Sequence, residues 1–174
     1  MYQTGILEPI PAHGRYLGLN ARAEVDTAAL RSALQSLADE VDGRQLVLGL
    51  GATLVRRLAG LSTGTATGTG AGPLPGLHDF HAPDGHRVAL PATRIDLWLW
   101  LRGEDPAALL WQADALRERL APLFEVVEHL GAFRHGEGRD LTGYEDGTEN
   151  PEGPAASAAA LLGEAAGPGL AGSS

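Results

Sequence analysis

The chain has no cysteine among its 174 residues, which excludes disulfides, thiolate metal sites and cysteine nucleophiles. Lysine is absent too. All 13 basic residues are arginine, against 22 carboxylates, for a formal net charge of −9 and a pI near 5.0. The arginine bias reflects genome composition more than function, but the acidic balance argues against a nucleic-acid partner, because such a binder needs a concentrated basic stripe. No apolar run approaches membrane-spanning length. Met1 to Pro11 has neither a positive n-region nor a long apolar core, and Arg56-Arg57 lies too far inside to act as a twin-arginine export signal. A cytoplasmic protein without a membrane partner is therefore expected. At 18.1 kDa the chain suffices for one domain with a real core, burying roughly 70% of its unfolded surface, but not for two full domains.

What is present alternates in period. Arg15 to Arg22 places Leu17, Leu19 and Ala21 on one face, as a strand does. Asp26 then reads as an N-cap, Leu30, Leu34, Leu37 and Val41 form a helical stripe, and Gly43 closes a helix over 26–42. Arg44 to Gly51 returns to period two, a short helical turn covers Ala52 to Leu58, and Leu61 to Gly76 is a Gly/Thr/Pro-rich insertion. Ile95 to Arg102 is the clearest strand, with Leu97, Leu99 and Leu101 alternating against Asp96, Trp98 and Trp100. Asp105-Pro106 starts a second helix whose apolar positions Leu109, Ala113, Leu116 and Leu120 run to Pro122, and Phe124 to Leu130 gives a fourth strand. The order β-α-β-β-α-β predicts an α+β, ferredoxin-like fold: a four-stranded antiparallel sheet with both helices on one face. Residues 1–135 are assigned to this domain. Residues 136–174 form a loop and an Ala/Gly-rich connector, in which Pro154 to Ala166 reads as a short helix with too little apolar content for a second core.

The chemistry is expected directly after the fourth strand. Gly143-Tyr144-Glu145-Asp146-Gly147-Thr148-Glu149-Asn150-Pro151 packs three carboxylates between two glycines and a proline, so the loop can orient a carboxylate against a flat ligand. With Asp140-Leu141-Thr142 before it, this segment resembles the G-x-x-D-G signature of the dye-decolourising peroxidases, a family of haem enzymes. The Val47-Leu48-Gly49-Leu50-Gly51 strand adds to the resemblance, which spans Tyr16 to Asn150 and covers the first of the family's two ferredoxin-like halves.

The resemblance implies a haem b cofactor, hydrogen peroxide as oxidant, and a dye, phenol or porphyrin-like molecule as reductant. It makes Asp146 the distal acid/base and sets Gly147, Thr148, Glu149 and Asn150 along the haem edge. A single carboxylate can take the proton from one peroxide oxygen and return it to the other. Starting from a reference pKa of about 4, it favours acidic pH unless burial raises that value. The family's proximal His and distal Arg have no counterpart here. The axial ligand is therefore expected in a missing C-terminal half, supplied by a longer chain, a separate polypeptide or a homo-oligomer, and the isolated chain is expected to be inactive. The competing reading is an Asx-rich turn whose carboxylates satisfy loop amides, in a stand-alone ferredoxin-like binding or dimerisation module without catalysis.

Other candidates are weaker. Gly49-Leu50-Gly51 lies between strand and helix as a dinucleotide fingerprint would, but Leu54 stands where the third glycine belongs and no acidic partner follows about 20 residues on. His78, His81 and His86, with Asp79 and Asp84, sit in a Pro/Gly-rich loop and read as solvated, so no metal site is assigned. Asp140, Asp146, Glu149 and Glu152 lack the alternating spacing of an EF-hand loop. Trp98 and Trp100 share a strand face and could relay electrons, although aromatic residues at period two more often pack a sheet.

Overall fold

The computed structural model describes residues 2–60, 77, 90–145 and 147–163. After a 3-10 turn at Thr4–Ile6 come β1 (His13–Ala21), α1 (Thr27–Ala38), β2 (Leu46–Leu50), α2 (Ala52–Leu58), β3 (Leu97–Gly103), α3 (Pro106–Leu120), β4 (Phe124–Phe133) and α4 (Pro154–Ala160). The strands form one sheet in the order β2-β3-β1-β4, with every pair antiparallel. This is the ferredoxin-like arrangement expected from the periodicities, with α2 added between β2 and β3.

Register explains the core. Leu17 pairs with Leu99 and Leu19 with Leu97, so the even-spaced leucines of β1 and β3 fall on one face. Both principal helices deliver their stripes to that face: Leu30, Leu34 and Leu37 from α1, and Leu109, Ala113, Leu116 and Leu120 from α3. Leu17, Leu19, Leu30, Leu97 and Leu99 have no exposed surface, and each such burial stabilises the fold by about 1.5–3 kcal/mol. The helix starts follow their caps. The Asp26 carboxylate accepts from the Ala28 amide at 3.2 Å, and that of Asp105 from Ala107 and Ala108 at 2.8 and 3.2 Å, ahead of Pro106 in the first turn.

Two boundaries differ from the sequence expectation. Helix α1 ends at Ala38 instead of 42, because Asp42 turns its Oδ1 back to accept from the amides of Arg44, Gln45 and Leu46 at 2.9, 2.8 and 3.0 Å, a local alternative to helix continuation. Val41 still packs against the core. Strand β4 runs three residues past Leu130, because Gly131, Ala132 and Phe133 pair with Arg15, Gly14 and His13. A register shift at Gly18/Leu19 skips Val127 and bends this edge. The opposite edge, β2, is covered by the N-terminal segment. The Gln3 side-chain amide donates to the Leu48 carbonyl at 2.6 Å and accepts from the Leu48 amide at 2.8 Å, acting as a fragment of an added strand.

The predicted helix over 154–166 is seen as α4, a single exposed stretch with no buried residue; positions 164–166 lie outside the described residues, as does the 61–76 insertion.

Candidate functional site

The loop that carries the motif is built outward from β4. The Arg134 amide donates to the Ala12 carbonyl at 2.9 Å, and the chain then reverses so that His135 bridges Arg139 and Arg139 bridges Glu145. Asp140 is the internal anchor. Its Oδ1 accepts from the Thr142 amide at 2.9 Å, the Thr142 hydroxyl at 2.6 Å and the Tyr144 amide at 3.0 Å, while its own amide donates to the Tyr144 carbonyl at 2.9 Å. The Thr142 hydroxyl holds the Asp140 carboxyl below the usual carboxylate range; desolvation opposes it, and the amides of Tyr144, Thr142 and Gly143 each add a smaller lowering. For Asp140, then, the Asx-turn reading is correct.

Gly143 closes this turn at φ 94°, a left-handed conformation that side chains disfavour, and its amide donates to the Asp140 carbonyl at 3.0 Å. Arg139 ties the other side, donating from Nη1 to the Gly143 carbonyl at 3.0 Å and lying 3.7 Å from Glu145 Oε2. Glu145 is thus engaged with Arg139 and exposed to solvent.

Asp146 itself lies outside the described residues. Gly147, Thr148, Glu149 and Asn150 are gathered into one turn, closed by the Asn150 amide donating to the Gly147 carbonyl at 3.0 Å, and all four are exposed. Gly147 has φ 79°, and a Cβ there would come within 2.7 Å of the Asn150 side-chain nitrogen. Leu141 and Tyr144 present 78% and 76% of their surface to solvent. Among its described residues the loop thus presents glycine backbone and the side chains of Leu141 and Tyr144 to solvent.

The rejected motifs are explained locally. Gly51 is small because a Cβ would sit 2.0 Å from the Ile95 carbonyl oxygen, where α2 leaves the sheet beside β3, and α2 is only seven residues long. No phosphate need be invoked. His78, His81, His86, Asp79 and Asp84 lie outside the described residues. Among the described residues no three His, Cys, Asp or Glu side chains are grouped to hold a metal, and no helix is long and apolar enough to cross a membrane.

The helix-free face of the sheet holds what sequence reasoning found only in part. Trp98 and Trp100 are there as expected, but Tyr16 from β1 stacks between them at ring-centroid distances of 5.5 and 5.9 Å, and the Arg102 guanidinium lies 4.6 Å over the Trp100 ring. Burial raises the Tyr16 phenol above its ordinary value, and the nearby Arg102 opposes that shift. Arg102 is itself 6% exposed and donates to the carbonyls of Arg44, Glu8 and Pro9. The signal for this cluster was the strand pairing, which sets Tyr16 opposite Trp100.

Comparison with known proteins agrees with the family resemblance and the fold. No family model matches the chain. The dye-decolorizing peroxidase of Mycolicibacterium paratuberculosis is 38% identical over 95 residues, 54% of this chain and 27% of that protein, and its Mycobacterium tuberculosis counterpart is 38% identical over the same length. Among solved structures, a variant of DypB from Rhodococcus jostii in complex with heme matches 97% of this chain and 54% of its own, with a TM-score of 0.70 and 25% identity. The encapsulated DyP-type peroxidase of Mycobacterium smegmatis matches 95% of this chain and 52% of its own, with a TM-score of 0.69 and 27% identity. The chain thus resembles dye-decolorizing peroxidases in sequence and in fold, and it spans about half the length of those solved relatives.

Proposed function

We propose that this chain forms one half of a haem-dependent peroxidase of the dye-decolorizing type, with residues 1–135 as the ferredoxin-like scaffold and 136–174 as motif loop and connector. The observation that supports this best is the Gly143 to Asn150 loop, stiffened by Asp140 and Arg139 and following directly on β4 of a sheet shared with those peroxidases. Gly147, Thr148, Glu149 and Asn150 are the residues that would line one side of haem b, which when bound supplies the iron centre for peroxide reduction. An imidazole to hold the iron would have to come from a segment outside residues 1–174 or from a partner copy, and without it the isolated chain would be inactive. Hydrogen peroxide is the oxidant and an aromatic or dye-like molecule the reductant.

Within that site Asp146 moves a proton. Its carboxylate would take a proton from one peroxide oxygen and return it to the other, while the electrons for cleaving the oxygen–oxygen bond would come from the haem iron when that group is bound. Glu145 does not share this work, because Arg139 engages it.

The test is to purify the protein in the assembly in which it occurs in its host, record the visible spectrum and measure peroxide-dependent dye bleaching. Asp146→Asn keeps the side chain's size but cannot carry the proton, and loss of general acid–base catalysis costs about 10²–10⁴ in rate. Bleaching should fall by that order at unchanged haem content, with Glu145→Gln near the parent. A native assembly without haem would refute the family reading, and an Asp146→Asn assembly as fast as the parent would refute the role of Asp146 alone.

A further inference from the structure

On the helix side of the sheet, far in character from the motif loop, Arg15 is an arginine without an acid. Arg44, Arg94 and Arg119 meet Glu8, Asp96 and Glu40 at 2.9, 3.1 and 2.5 Å. Arg15 meets no oxygen among the described residues. Its Nη1 lies 3.2 Å from His129 Nε2, and its Nε is buried with no partner. Among the described residues, Arg22, Arg31 and Arg57 also lack an acid but donate to backbone carbonyls, whereas the Arg15 guanidinium has no oxygen at all, and a buried donor left unmade costs about 1–3 kcal/mol. Glu104 does not fill it, because its Oε1 accepts from the Ala12 amide at 3.4 Å.

The space around Arg15 is shaped as well as charged. Position 131, directly across β1–β4 from Arg15, is glycine, and a Cβ there would come within 3.3 Å of Arg15 Nη2. The guanidinium therefore lies over bare backbone at one wall of a recess of about 230 Å³, lined also by His13, Pro106, Leu109, Gly131 and Phe133. Phe133 is 61% exposed and stands at the rim.

We propose that this recess binds a small organic monocarboxylate with a flat apolar body, its carboxylate on Arg15 and its body against Pro106, Leu109 and Phe133. A guanidinium is planar and offers a fork of donors matched to a carboxylate. The volume lies below the roughly 300–1,000 Å³ of sites for drug-sized ligands, which limits the occupant to about one ring. Inorganic phosphate suits the site poorly. It needs many donors, yet the first free amides of α3, at Ala107 and Ala108, are already taken by Asp105, and the remaining walls are apolar. The assignment is independent of the peroxidase reading.

The test is a titration of the whole chain with benzoate, following the Arg15 Nε–H signal by nitrogen-15 NMR, with benzamide and inorganic phosphate in parallel. Benzoate should move the Arg15 signal saturably, and benzamide, neutral but of the same shape, should bind about tenfold more weakly or worse. Arg15→Gln should weaken benzoate by a similar factor, and Phe133→Ala, at an exposed position outside the core, by a smaller one. The signal belongs to the parent protein, so the result does not hinge on how a variant folds. An Arg15 signal unmoved by benzoate, benzamide binding as tightly as benzoate, or phosphate doing so, would each overturn the assignment.

Discussion

Asp96 offers the sharpest test of how this fold is held together. It is 1% exposed at the entrance to β3, where its Oδ2 accepts from the Ala21 amide at 2.9 Å and both carboxylate oxygens take Arg94 at 3.1 Å. Asp96→Ala removes both partners. The stranded Ala21 amide costs about 1–3 kcal/mol, whereas the Arg94 pair, with that side chain 54% exposed, is screened and contributes about 0–1 kcal/mol. The expected loss is therefore about 2–3 kcal/mol. Asp96→Asn keeps an oxygen for the Ala21 amide and loses only the charge facing Arg94, for about 1 kcal/mol. Urea unfolding followed by tryptophan fluorescence, with Trp98 and Trp100 on the same strand, reports both values, provided the m-value stays constant. Equal losses in the two variants would show that the ion pair and not the amide dominates. Losses under about 0.5 kcal/mol in both, the range of ordinary surface changes, would show that Asp96 is incidental.

Gly51→Ala should destabilise by about 1–3 kcal/mol or more, because the added methyl would lie 2.0 Å from the Ile95 carbonyl oxygen and backbone, not a side chain, must give way; a thermal melt within a degree of the parent would sink this. Gly147→Ala should cost only about 1 kcal/mol, from its φ of 79°, since the crowding atom is the end of the Asn150 side chain. The turn at 140–144 should depend on pH in one direction. Asp140 is depressed in the folded state, so its contribution is complete above the unfolded value of about 3.9 and is lost as pH falls through the lower folded value. Amide signals of Thr142 and Tyr144 should report that midpoint, and Thr142→Val, which deletes the hydroxyl donor, should move it upward; no movement would remove the hydroxyl as its chief cause.

The fold was legible where side chains alternate without competition. Leu97, Leu99 and Leu101 alternate with polar or aromatic residues, and the caps Asp26 and Asp105 mark both helix starts, so β3, α1 and α3 could be read from residue type alone. What escaped was decided by single side chains reaching back to the main chain, which has no periodic signature. Asp42 shortens α1, and Gln3 covers the edge of β2 from 45 positions away. The loop stood out in the sequence because glycines and carboxylates concentrate there, but its carboxylates divide the labour in a way that spacing cannot show. Asp140 serves the loop's own amides, and Glu145 serves Arg139. Tyr16 and Arg102 were missed because their partners lie on another strand, and register, not sequence proximity, brings them together.

That division of labour bears on how an exposed loop is held in one shape. A loop in water is ordinarily free to sample many conformations, and each ordered residue costs about 1–2 kcal/mol of backbone entropy. Here the approach to position 146 is fixed from one side by the β4 extension, by the bridges from His135 to Arg139 and from Arg139 to Glu145, and by the three donors on Asp140. The exit is fixed by the turn from Gly147 to Asn150. None of these restraints draws on a hydrophobic core, so the ordering cost is met by hydrogen bonds between groups that a bound ligand would leave in place. A ligand arriving on the exposed side of Leu141 and Tyr144 would therefore add apolar contact to a frame already set, instead of having to order the frame itself.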